Sequence, residues 1–184
     1  MIFVSYVDAM IILGIDPGWD RCGWAKLRVA QGSNARRSEK PELLECGVIT
    51  TERGRPRTER LTDLYGQACR LFRKAPRPQH VAVEEIHLPP QGYRISNLLH
   101  LGEARGVLML AAGQTGLAIS EIHPLTVKSA VTGSARSSKQ DVARFLKFLV
   151  GSVPSGQLDD TTDAVAIALT AALSVKSPLL ASVS

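Results

Sequence analysis

The chain has 184 residues, enough for one compact domain and short for two. Its 45% hydrophobic content allows a real core, no apolar run reaches the roughly 18 residues a membrane helix needs, and Met1–Met10 lacks the basic segment and cleavage site of a signal peptide. Cys22, Cys46 and Cys69 are scattered and form no CxxC pair, which argues against zinc or a disulfide framework and for a reducing cytoplasm, while a net charge of +5 hints at a polyanionic partner.

Met10–Asp16 is a continuous apolar run ending at an acid and reads as a buried strand. Residues 1–9 before it read as an N-terminal extension, with Met10 as an alternative start. Pro17–Gly23 is a turn by composition, and Gly23–Val29 and Leu43–Thr50 read as second and third strands around a polar loop at Ala30–Pro41. Thr58–Lys74 carries Leu61, Leu64, Tyr65, Ala68, Leu71 and Phe72 at helical spacing. His80–Glu85 is a fourth strand, apolar and then acidic, followed by a loop at His87–Asn97. Asn97–Gly113 is a helix with small residues suited to close packing, and is apolar enough for either a buried core element or a dimer surface. Leu117–Ile122 is a fifth strand, and Pro124–Val131 a short helix before a basic loop at Thr132–Ser138. Ser138 with Asp141 fits a capping box that opens a helix to Val150. After a linker at Val153–Leu158, Asp160–Val175 is the last helix, with residues 177–184 a tail. Three strands on short loops favour an antiparallel start, and the later strand–helix–strand units favour parallel pairing. The expected architecture is therefore one α/β domain, residues 10–176, with a five-stranded mixed sheet flanked by helices.

Basic residues are uneven along this frame. Between Glu52 and Arg77 stand Arg53, Arg55, Arg57, Arg60, Arg70, Arg73, Lys74 and Arg77 against Glu52, Glu59 and Asp63. A second group is Lys128, Arg136, Lys139, Arg144 and Lys147. Either set suits phosphate contact or a solvated face, and for any single arginine of 53–60 the solvated face is the better reading.

The acids carry more. Asp16 ends the first strand, Glu84 and Glu85 end the fourth, and Asp160 and Asp163 open the last helix, one helical turn apart. With the first and fourth strands as neighbours, all four of Asp16, Glu84, Asp160 and Asp163 can converge. Individually each has a plainer reading: a turn start for Asp16, an edge charge for Glu84, and helix capping for Asp160 and Asp163. Together they would repel one another in a partly buried cleft unless divalent cations with a preference for hard oxygen ligands neutralised them. Two such ions about 4 Å apart can activate water and stabilise the leaving oxygen of an in-line phosphoryl displacement.

These segments resemble a known family. Ile12–Gly18 (ILGIDPG with Gly23 beyond) is similar to the opening of RuvC resolvases, Ala82–Glu85 to their second acidic motif, and Leu101–Gly106 to the helix after it. Val127–Gly133 with Lys139 resembles their basic DNA-contacting segment, and Asp160–Ala168 their closing DxxDA helix. The motifs run in family order from Met10 to about Ala172. The resemblance implies a ribonuclease H-like fold and a homodimer that nicks two opposed strands of a four-way (Holliday) DNA junction, in recombination and repair, leaving 5′-phosphate and 3′-hydroxyl ends. It implies two Mg²⁺ ions per site, with Mn²⁺ a substitute, and cooperation with a branch-migration motor of the RuvA and RuvB type. By motif, Asp16, Glu84, Asp160 and Asp163 match the catalytic and metal-binding acids, Lys128 and Lys139 match DNA-contacting bases, Arg136 lies in the same basic loop, and Glu85 supports the acids beside it.

One departure concerns base reading. The family places a Phe two or three residues after the second acid, whereas here Ile86-His-Leu-Pro-Pro-Gln-Gly-Tyr93 follows Glu85. Tyr93, flanked by Arg94, is the stacking candidate and His87 a weaker one; a loop tyrosine packed on its own scaffold fits as well. Arg105 reads as an internal ion-pair partner more than a phosphate contact, and His123 as a turn or packing residue. The rival functions are a ribonuclease H-like nuclease acting on RNA, an actin-like ATP-binding kinase, which needs a longer chain and a second glycine motif, and a non-catalytic junction-binding module.

Overall fold

The computed structural model describes residues 9–31, 40–87, 94–150 and 159–176. Most of the expected extension, the tail, the linker at 153–158 and Tyr93 lie outside the described residues. Five strands, β1 (Ala9–Asp16), β2 (Arg21–Ala30), β3 (Glu42–Thr50), β4 (His80–Glu84) and β5 (Ala118–Ile122), form one sheet in the order β3-β2-β1-β4-β5. The pairs β1–β2 and β2–β3 are antiparallel, and β1–β4 and β4–β5 are parallel, as the loop lengths predict. The helices are α1 (Arg57–Arg73), α2 (Ile95–Gln114), α3 (Pro124–Thr132), α4 (Lys139–Leu149) and α5 (Asp159–Lys176).

Side-chain alternation divides β1 between two cores. Leu13 and Ile15 pack with Val81, Val83, Leu64, Phe72 and Leu108 on the α1–α2 side. Ile12 packs with Ala82, Leu27, Val29 and the α5 residues Ala164–Leu169 on the other. Gly14 lies on the α5 side, where a Cβ would stand 2.2 Å from the Ala164 carbonyl oxygen; its absence lets the helix rest on the strand. Nearly every residue of α5 from Ala164 to Ala172 is buried, because α3 and α4 cover its outer side.

Most boundaries shift by one or two residues from the sequence reading, and three of the shifts bear on the site or its flanks. β2 starts at Arg21, since Arg21 and Cys22 already pair with Thr50 and Ile49. α2 starts at Ile95 with no side-chain cap, two residues before the expected Asn97. α5 starts at Asp159, so Asp160 is its second residue and a first-turn acid rather than the cap. The Ser138–Asp141 capping box is present.

Candidate active site

Asp16 and Glu84 are the last residues of adjacent parallel strands, and the Ile15–Val83 register brings them level. Each is two residues beyond a residue on the α5 side of the sheet, Gly14 and Ala82, so both carboxylates project toward α5. Gly23 on β2 approaches the start of that helix so closely that a Cβ would lie 2.0 Å from the Asp160 carbonyl oxygen. Two close strand–helix contacts thus bring the first turn of α5, with Asp160 and Asp163, to the strand ends. Asp16, Glu84 and Asp163 line a cleft of about 300 Å³ together with Lys128, Lys139, Pro124, Val127, Val142 and Ala166.

The electrostatics follow from this crowding. Asp16 is pushed up from 3.8 to about 8, first by burial and then by Glu84, Asp163 and Asp160, with Lys139 pulling the other way. Glu84 is also raised, by burial and by Asp163. The two helix-borne acids already have cations: Lys139 Nζ donates to Asp163 Oδ2 at 2.8 Å, and Arg21 Nε donates to Asp160 Oδ2 at 2.7 Å. Asp160 is not part of the cleft lining, although its charge is felt at Asp16. Among the described residues no three His, Cys, Asp or Glu side chains stand ready at metal-ligand spacing. The donor set is nevertheless all hard carboxylate oxygen, and a Mg²⁺- or Mn²⁺-class cation would offset both the burial and the like charges that raise Asp16.

The structure distributes the other candidate residues unevenly. Lys128 and Lys139 face the cleft. Arg136 is exposed on the loop between α3 and α4, and Arg94 is exposed immediately before α2. The Glu85 amide donates to the Ile122 carbonyl at 2.9 Å, which extends the β4–β5 ladder past Glu84, and its side chain is not part of the cleft lining.

Several basic residues are internal partners. Arg105 ion-pairs with Glu121, and its Nε donates to the Glu84 carbonyl at 3.1 Å, so the structural reading holds and the arginine braces the strand end that carries an acid. Arg53 pairs with Asp20, Arg55 with Glu59 and Arg57 with Glu103, leaving a mixed-charge face. Arg60 departs from the solvated-face expectation: it is 8% exposed, bonds Asp20 and Thr51, and lies 4.5 Å over the Trp19 ring. Its position in the amphipathic pattern beside Leu64 gave no hint of burial, because the partner turn at Trp19–Asp20 is remote in sequence. His123 has a capping role: its Nδ1 accepts from Leu125 N at 3.2 Å, and its Nε2 lies 3.2 Å from His87 Nδ1. Sequence reasoning missed Arg21, which it placed in a turn, because its partner Asp160 is remote in sequence.

A family model described as "Crossover junction endodeoxyribonuclease RuvC" matches residues 12–171. The protein of that name from Pelotomaculum thermopropionicum is 38% identical over 160 residues, covering 87% of this chain and 91% of its own. The Thermus thermophilus RuvC structure solved with a Holliday junction superposes with a TM-score of 0.78 at 27% identity, covering 91% of this chain and 95% of that one. The yeast mitochondrial Holliday junction resolvase, at 16% identity and a TM-score of 0.60, shares the fold. The mixed sheet with its flanking helices is the ribonuclease H-like fold that the sequence motifs implied. A match that runs from β1 into α5 and takes in every element carrying an acid leaves no other assignment: the chain belongs to the RuvC family of crossover junction endodeoxyribonucleases.

Proposed function

We propose that the chain resolves four-way DNA junctions by metal-dependent nicking, with Asp16, Glu84, Asp160 and Asp163 as the catalytic acids that hold the metal. The observation that carries this reading is the convergence of Asp16 and Glu84 with the first turn of α5 beside a cleft that also holds Lys128 and Lys139. A purely structural carboxylate would not be kept where burial and three like charges oppose its ionisation. Bound divalent ions, two of Mg²⁺ with Mn²⁺ as a substitute, supply charge neutralisation and Lewis acidity to an in-line displacement that leaves 5′-phosphate and 3′-hydroxyl ends.

The chain's own residues divide the remaining work. Asp16, on the more enclosed of the two strand ends, would hold the metal together with Glu84, Asp160 and Asp163. Lys139, which bonds Asp163 at the cleft, would with Lys128 meet the phosphate backbone. Arg136 and Arg94 extend that contact along the DNA arms, Tyr93 stacks on junction bases, and Glu85 supports Glu84. Residues 10–176 act as one nuclease domain in the cytoplasm, as a homodimer served by a branch-migration motor of the RuvA and RuvB type.

The test is a junction-cleavage assay with Mg²⁺, Mn²⁺ or EDTA. Asp16→Asn should abolish nicking of a synthetic four-way junction and leave junction binding in place. An RNA–DNA hybrid cut faster than the junction would transfer the assignment to an RNA nuclease, and near wild-type nicking by Asp16→Asn would end it.

A further inference from the structure

Arg21 and Lys139 hold two acids of the same centre, yet they are built differently. Lys139 is 74% exposed at the start of α4, and its ammonium is a mobile point charge. Arg21 is 38% exposed on the first residue of β2, tied by the ladder to Thr50. Its Nη2 is buried and makes no bond, so the contact to Asp160 runs through Nε alone. Two residues further on, Gly23 packs on the Asp160 backbone, with a Cβ clash distance of 2.0 Å to its carbonyl oxygen. Backbone and side chain of Asp160 are therefore both fixed by the same strand.

Asp16 and Glu84 end adjacent strands, whereas Asp160 lies in the first turn of α5, where Arg21 bonds its carboxylate directly. Carboxylates that bind metal are commonly oriented by an outer hydrogen-bond donor, whose removal weakens metal binding about 10- to 100-fold. We propose that Arg21 is the positioning residue for Asp160: it keeps its bond to Oδ2 in the metal-loaded state, whereas Lys139 gives up Asp163. This rests on the reading of the four acids as metal ligands.

The decisive measurement is calorimetric titration of Mn²⁺ into the full chain without DNA, alongside junction binding in EDTA. Arg21→Ala should weaken Mn²⁺ binding about tenfold or more, and Arg21→Gln, which keeps a donor without the charge, should recover part of that loss. Junction affinity in EDTA should stay within about twofold for both, and the Mg²⁺ concentration for half-maximal nicking should rise more than the rate at saturating Mg²⁺ falls. Unchanged Mn²⁺ affinity would overturn the proposal and make the pair a strand–helix contact only. Tighter Mn²⁺ binding would overturn it in favour of Arg21 as a competitor of the metal. Weaker junction binding in EDTA with metal affinity intact would overturn it in favour of a phosphate contact. Asp16→Asn is the control: if it too binds Mn²⁺ like the parent protein, the metal-centre reading fails, and if only Arg21→Ala does, the fault lies with the Arg21 proposal.

Discussion

At the residue scale, the cost of the site falls on Asp16. A carboxylate whose folded value lies near 8 holds its proton in the native state across a range where the unfolded chain has released it. The folded form then binds more protons than the unfolded form between about pH 4 and 8, and stability falls as pH rises through that window. The slope from this one group reaches about 1.4 kcal/mol per pH unit. Asp16→Asn removes the ionisation while keeping the shape, so in EDTA it should be more stable than the parent at pH 8 by roughly 1–4 kcal/mol and closer to it at pH 5. Urea unfolding at the two pH values measures this, and an equal or lower stability at pH 8 contradicts it. The same variant is expected to be inactive, as when function holds a destabilising group in place. Lys139 makes the opposite case. Its exposed pair with Asp163 contributes at most about 1 kcal/mol to the fold. Lys139→Ala should therefore leave the unfolding midpoint nearly unchanged, weaken junction binding, and reduce the salt slope of that binding by about one. A loss of binding with an unchanged slope would remove Lys139 from the phosphate contacts.

At the element scale, the site depends on how closely α5 lies on the sheet. Gly14 and Gly23 are the two points where side chains are missing so that helix and strand backbones can touch. Gly23→Ala should push the first turn of α5 away, at a cost of roughly 1–3 kcal/mol, and weaken Mn²⁺ binding with it. Gly66, in the middle of α1 with only ordinary contact at its Cβ position, provides the contrast. Gly66→Ala should raise stability by about 0.5–1 kcal/mol and leave metal binding alone. Thermal melts and metal titration of the two variants separate packing at the site from a general glycine effect; equal behaviour would refute it. The strand-borne acids were legible before any coordinates, because an apolar run ending at Asp16 and another ending at Glu84 fix both strand end and facing side. The helix-borne pair was legible only by motif: Asp160 and Asp163 fit capping equally well until α5 was found to begin at Asp159. Arg21 and Arg60 escaped altogether, since their partners, Asp160 and the Trp19–Asp20 turn, lie 139 and about 40 residues away in sequence. Local periodicity carries no information about such pairs.

At the scale of the whole molecule, the acids of the site serve one cleft, whereas two opposed nicks in one junction need two, and the proposed homodimer would supply the second. Among the described residues α2 offers a surface that a second copy would fit. α2 buries Ala104, Leu108, Ala111 and Ala112 against the sheet and leaves Ile95, Leu99 and Leu110 exposed at 75%, 58% and 55%. Leu99, Gly106, Leu110 and Gly113 fall on one stripe, and nothing within 4 Å occupies the space above the two glycines. A stripe of large apolar side chains alternating with glycine suits the close approach of an identical helix across a two-fold axis. The prediction is that Leu99→Arg combined with Leu110→Glu yields a folded monomer by sedimentation equilibrium. That monomer should still nick a junction that contains one cleavable strand. It should lose paired cutting, so that nicked intermediates accumulate where the parent protein gives two linear duplexes. A variant that stays dimeric would place the interface on another face, and a monomer that still cuts both strands together would separate paired cleavage from dimerisation altogether.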